Sequence, residues 1–218
     1  MSDRLFPHDV MTLLATPGMW EGTLLPEEEA CISRAVPKRR REFTAGRVAA
    51  RELLARFGVI EVAIPAAADR TPVWPAGIVG SISHCDGLCG VAIARAATYE
   101  SIGLDVEGVE GLPEETIRLV CPERELARAV AATGSSRGEA AKFLFSAKEA
   151  FYKCWFPVTE VTLDFHDVEV DFEARRGAFG ARVLAPHPER ALTGKIAGRF
   201  TRDASHVAAG VALLRTPG

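Results

Sequence analysis

The chain has 218 residues, 48% hydrophobic and 25% charged, ordinary for a soluble globular protein and long enough for one large domain or two small lobes. Its formal net charge of −3 excludes a global attraction to nucleic acid, so any anion site must be local. No apolar run approaches the roughly 18 residues of a membrane span, no charged-then-apolar leader opens the chain, and five cysteines without a CxxC pair fit reduced thiols, together an expectation of a cytoplasmic protein.

The N-terminal third reads as helical. Pro26 and three glutamates open a helix carrying Ala30, Ile32 and Ala35, with proline and acids in the first turn as the helix dipole favours, and Pro37 ends it. A second helix follows, on which Phe43, Val48, Leu53, Leu54 and Phe57 form an apolar stripe and Gly58 a stop. Lys38, Arg39, Arg40, Arg41 and Arg47 crowd its first turns, a pattern that taken singly is a solvated face.

Pro65 to Pro75 reads as a linker interrupted by Asp69 and Arg70. A strand is expected over 77–82, then a polar loop SHCDG over 83–87 that can bind an anion or simply turn the chain. The return strand is 88–94, and 101–107 reads as the next strand of the same meander. His84, Cys85 and Cys89 do not have the spacing of a common structural zinc site.

The stretch 102–107, IGLDVE, carries the strongest chemical signal before the second half. If it is extended, Ile102, Leu104 and Val106 point one way and Asp105 and Glu107 the other. Two carboxylates on one face of a half-buried strand repel, and a bound cation or basic neighbours would offset that; a solvated strand end is the plainer alternative. All-oxygen donors suit magnesium or calcium rather than zinc.

A new helical run starts at Pro122 and stops within 133–138. The helix 139–155, EAAKFLFSAKEAFYKCW, places Lys142, Glu149 and Lys153 on one face, while Phe143, Leu144, Phe145, Phe151, Tyr152 and Trp155 make it too apolar to be peripheral. Its charges are therefore expected to line an internal cleft. Residues 168–172, 177–184, 194–203 and 206–214 read as antiparallel strands, with His166, His187 and His206 capping turns or facing solvent rather than catalysing. Two short repeats, FTA at Phe43 against FSA at Phe145, and GVAIAR at Gly90 against GVALLR at Gly210, suggest a duplicated α/β unit with a cleft between the copies.

Three ordered blocks, GSISHCDG (80–87), IGLDVE (102–107) and FSAKEAFYK (145–153), resemble the larger 4′-phosphopantetheinyl transferases that activate surfactin and enterobactin synthases. PKRRREFTAGR and RTPVWPAGIVG also look like the siderophore branch of that family, and the resemblance covers Pro37 to Trp155. It implies an α+β fold of two similar lobes about a pseudo-two-fold axis, here 1–107 and 108–218, each with antiparallel strands packed on a long helix and a coenzyme A cleft between them. It implies Mg2+ ligands at Asp105, Glu107 and Glu149, with Asp105, Glu149 and Lys153 in catalysis. Lys153, Ser83 and His84 would meet the coenzyme's phosphates, Arg39, Arg47 and Arg70 the adenine nucleotide and its 3′-phosphate, and Lys148 a phosphate or the carrier. The partner implied is an apo acyl- or peptidyl-carrier domain, with no nucleic acid and no membrane, and a duplicated chain makes a monomer reasonable. A non-catalytic module that binds coenzyme A or a carrier is the alternative, against which the complete carboxylate set argues.

Overall fold

The computed structural model describes residues 5–184 and 195–216, so His187 lies outside the described residues. Helix α1 (Pro26–Ile32) and helix α2 (Pro37–Arg56) both begin with proline at the first helical position, where its missing N–H has no helical partner to lose. Pro37 starts α2 but does not end its predecessor, which stops at Ile32 and leaves Ala35 outside the helix. Strands β1 (Met11–Leu14), β2 (Ile78–Cys85) and β3 (Leu88–Arg95) form an antiparallel sheet in the order β1-β3-β2. Ala49, Ala50, Leu53 and Leu54 of α2 pack on Ile78, Val91 and Ile93 of this sheet.

Two expectations are corrected here. Ser83 and His84 are strand residues rather than loop, because β2 runs to Cys85 and pairs with Leu88, leaving only Asp86 and Gly87 to turn, Gly87 at φ +74°. Strand β4 (Tyr99–Gly108), which carries IGLDVE, does not continue the meander: it pairs antiparallel with β8 (His206–Leu214). A division at residue 107 therefore cuts off a strand that is hydrogen bonded to the C-terminal sheet. That sheet has five strands in the order β4-β8-β7-β6-β5, with β5 Val168–Glu173, β6 Ala178–Val183 and β7 Ile196–Arg202.

Helices α3 (Glu114–Val120), α4 (Glu123–Thr133) and α5 (Arg137–Thr159) complete the α+β architecture, α3 and β1 being elements not expected from the sequence pattern. Ser136 caps α5 by accepting from the Glu139 N–H, while Glu139 accepts from the Ser136 N–H, a reciprocal box. The apolar face of α5 buries Phe143, Leu144, Phe151 and Trp155 against β5, β6 and β8. At Gly103 α5 and β4 approach too closely for a side chain, since a Cβ there would lie 1.9 Å from the Ala150 carbonyl oxygen.

The two sheets meet through their edge strands. Ile102, Leu104 and Val106 of β4 share a buried cluster with Ala92 and Ala94 of β3. Along the seam the hydroxyls of Ser81 and Ser83 accept the Leu104 and Val106 N–H groups at 2.9 and 3.2 Å. The serines of SIS thus do for the β4 edge what a neighbouring backbone would otherwise do. Among the described residues no helix is long and apolar enough to cross a membrane.

Candidate active site

The alternation of β4 puts Asp105 and Glu107 on its α5 side, opposite the apolar row. Asp105 is 2% exposed. Its Oδ1 accepts from Lys153 Nζ at 2.7 Å and from Ser83 Oγ at 3.0 Å, and Lys153 Nζ also donates to Ser83 Oγ at 3.0 Å. Its Oδ2 is buried without a hydrogen-bond partner. Glu107 accepts from Lys142 Nζ at 3.0 Å through Oε2. The face shared by Lys142, Glu149 and Lys153 therefore does turn toward Asp105 and Glu107 of β4.

Glu149 lies within electrostatic reach of Asp105, Glu107 and Lys153. Burial raises its pKa; Asp105 and Glu107 add to the rise and Lys153 opposes it. Burial likewise raises the pKa of Glu107, helped by Asp105 and opposed by Lys142 and Lys153. The cluster holds three carboxylates against two ammonium groups, in surroundings that disfavour full ionisation. Among the described residues no group of three or more His, Cys, Asp or Glu side chains is arranged to hold a metal ion.

His84 sits beside this cluster on β2. Arg39 Nη1 lies 2.6 Å from His84 Nε2, and Glu42 Oε2 lies 3.6 Å from His84 Nδ1. Burial lowers the imidazole pKa, Glu42 opposes it, and Arg39 and Lys153 push further down, so the neutral ring accepts at Nε2 from the guanidinium. A cavity of about 290 Å³ opens next to Lys153. Arg70, Trp74, Gly80 and Ser81 line one side and Ser101, Tyr152, Lys153 and Phe156 the other. Trp74 covers Gly80 so closely that a Cβ there would lie 2.4 Å from the indole.

The structure brings together Ser83, Asp105, Glu107, Glu149 and Lys153, sets Arg39 and His84 beside them, and places Arg70 with Lys153 on the cavity wall. Arg47 is 4% exposed; its Nε donates to the Ile64 carbonyl at 2.6 Å and its guanidinium lies 4.0 Å from the centroid of the Phe43 ring. Burial lowers its pKa to about 10. Lys148 is not brought to the cluster, which corrects its expected role in phosphate or carrier contact. One residue from Glu149, it points about 100° around the helix. Its Nζ donates to Glu125 Oε2 at 2.7 Å and to the Val120 and Phe165 carbonyls at 3.2 and 2.7 Å, engaging all three ammonium donors in the core.

With this geometry in view, residues 27–94 match the 4′-phosphopantetheinyl transferase N-terminal domain, and residues 101–208 match the 4′-phosphopantetheinyl transferase superfamily. A 4′-phosphopantetheinyl transferase of Streptomyces mobaraensis is 41% identical over 167 residues, 76% of this chain and 68% of the relative. The chain belongs to the 4′-phosphopantetheinyl transferase superfamily. A transferase of Nocardia iowensis, 39% identical over 170 residues, covers 74% of this chain and 75% of its own. One from Mycobacterium tuberculosis is 37% identical over 175 residues, 77% of this chain and 74% of the relative. The superfamily's enzymes are transferases that move phosphopantetheine from coenzyme A to carrier proteins. The sequence puts Lys142 on the cleft face of its helix without giving it a role, and it does not single out Ser81. The spacing of Lys142 to Glu149 was a usable signal, whereas the hydroxyl seam appears only once β2 and β4 are adjacent.

Proposed function

We propose that Asp105, Glu107 and Glu149 hold Mg2+ while this chain moves 4′-phosphopantetheine from coenzyme A to a serine of an apo acyl- or peptidyl-carrier domain, releasing adenosine 3′,5′-bisphosphate. The observation that carries the reading is the buried, unpartnered Oδ2 of Asp105, set among Glu107, Glu149 and Lys153 beside a cavity. An orphaned carboxylate oxygen at that depth is costly unless something positive occupies it. The donors are all oxygens, which fits Mg2+ once the ammonium groups on Asp105 and Glu107 give way. Bound there, the ion would neutralise diphosphate charge.

The chain's own residues supply the rest. Lys153, at the cavity wall, offsets charge on the diphosphate as the serine Oγ attacks the phosphorus bearing pantetheine and the bond to the bridging oxygen breaks. Glu149 accepts the serine proton, a role its raised pKa supports. Ser83 and His84 reach a phosphate from β2, while Arg39 and Arg70 hold the nucleotide, arginine's planar fork matching phosphate oxygens in pairs. Arg47 joins them only through its terminal nitrogens, because Nε is held by Ile64.

We further read the two halves as copies of one α/β unit. In support, FTA and FSA lie on α2 and α5, and GVAIAR and GVALLR on β3 and β8. A cytoplasmic monomer serving siderophore, nonribosomal-peptide or polyketide synthesis completes the reading. Intact-mass spectrometry of an apo peptidyl-carrier domain incubated with the protein, coenzyme A and Mg2+ tests it. One phosphopantetheine is gained, and Asp105→Ala loses it. Coenzyme A binding without carrier modification, across several carriers, would instead establish a binding module.

A further inference from the structure

Lys142 has no task in the transfer described above, yet it is held as firmly as the residues that do. Its side chain is 11% exposed and donates to Glu107, itself 22% exposed, at 3.0 Å. Its Nζ also lies 6.0 Å from the Phe145 ring centroid, at the outer limit of a cation–π contact. Lys153 does the same for Asp105 from about three turns further along the helix, but shares its charge with Ser83 and borders the cavity. Asp105 and Glu107 thus each carry one ammonium, while Asp105 Oδ2 is buried and unpartnered. Two cations of the chain itself sit on Asp105 Oδ1 and Glu107 Oε2, beside the oxygen a divalent ion would take.

We propose that Lys142 is a placeholder cation: it neutralises Glu107 when no divalent ion is bound and must leave Oε2 before one can be held. This rests on the reading of Asp105, Glu107 and Glu149 as metal ligands. Without Lys142, Asp105, Glu107 and Glu149 would share one partly buried cluster with Lys153 alone, an accumulation of like charge that burial disfavours. With it, the cluster is close to charge balance by itself, and a divalent ion competes against an ammonium already in place. The competition has a direction. A diphosphate brings negative charge that favours the divalent ion and gives the released ammonium a new partner, so metal loading is coupled to arrival of coenzyme A rather than preceding it.

The test is Mn2+ binding to the whole protein without coenzyme A, read from the free-ion electron paramagnetic resonance signal. Lys142→Met binds Mn2+ at least about tenfold tighter than wild type, since deleting one positive charge a few ångströms from a divalent ion removes a repulsion larger than that ratio requires. Lys142→Arg, which keeps the charge, stays within about threefold of wild type. In chelator Lys142→Met melts below wild type, and Mn2+ raises its melting temperature more than it raises that of wild type. Equal or weaker Mn2+ binding by Lys142→Met, alongside wild-type binding that Asp105→Asn abolishes, overturns the placeholder role and leaves the metal site standing. Binding absent from wild type and Lys142→Met alike, or retained by Asp105→Asn, overturns the metal site and the placeholder with it.

Discussion

Gly103→Ala is the sharpest single probe of how the fold builds the site. The added Cβ would lie 1.9 Å from the Ala150 carbonyl oxygen and 2.7 Å from the Cys154 N–H nitrogen, both backbone atoms of α5 that no rotamer change can move. Ordinary contact begins at 3.4 Å, so the helix must withdraw from β4 by about 1.5 Å. Overpacking of this kind costs about 3 kcal/mol, at the upper end for a core insertion, and lowers the melting temperature of a chain this size by about 6–12 °C. The same withdrawal stretches the 2.7 Å Lys153–Asp105 and 3.0 Å Lys142–Glu107 contacts beyond hydrogen-bonding range. A misplacement on that scale slows transfer by about a hundredfold. Thermal melts and single-turnover carrier modification by mass spectrometry measure the two effects separately. A melting temperature within about 2 °C of wild type, with turnover within about threefold, would refute the claim that this contact fixes the site.

Glu149→Gln, isosteric but unable to accept the serine proton, slows transfer at least about a hundredfold; normal single-turnover rates with metal binding intact would remove it as the base. Lys148→Met leaves Glu125 buried without its partner and costs about 3–5 kcal/mol in denaturant titrations, yet leaves the KM for coenzyme A within about twofold. His84 has a folded pKa below its ordinary 6.5, so the unfolded chain takes up the proton first and stability falls as pH drops below 6.5. His84→Asn flattens that part of the stability profile in melts between pH 7 and pH 5. Arg70 adopts φ +72°, a left-handed conformation unfavourable for a side-chain-bearing residue. Arg70→Gly relieves it at an offsetting cost in chain entropy, so the melting temperature moves by less than about 3 °C while the KM for coenzyme A rises at least about tenfold.

The chemistry-bearing residues were more legible than the sheets that carry them. Alternation in IGLDVE put Asp105 and Glu107 on one face, and helical spacing put Lys142, Glu149 and Lys153 on another; both hold, because each is a local property of one element. Which strand β4 pairs with is not local: its partner β8 lies about a hundred residues on, and period alone reads equally well as a third meander strand. Ser83 and His84 looked like a loop because they are polar. In the fold their polarity faces the seam and the site while the backbone stays in β2. Helix α3, seven residues long, and β1, four residues at a sheet edge, depend on tertiary packing rather than on any pattern of their own. Lys148 beside Glu149 shows how analogy misleads when neighbours in sequence point about 100° apart around a helix, one to the cluster and one to the core.

The serine seam gives the two halves an unusual kind of independence. Their sheets are joined edge to edge by hydroxyls rather than by a continuous ladder, and the one covalent crossing there is the turn between β3 and β4 at Ala96 to Thr98. Cut at that turn, each fragment would keep most of its own sheet's hydrogen bonds but bare a strand edge that only the other fragment is shaped to cover. Two such pieces produced together should find one another and rebuild the cleft, whereas either alone should aggregate.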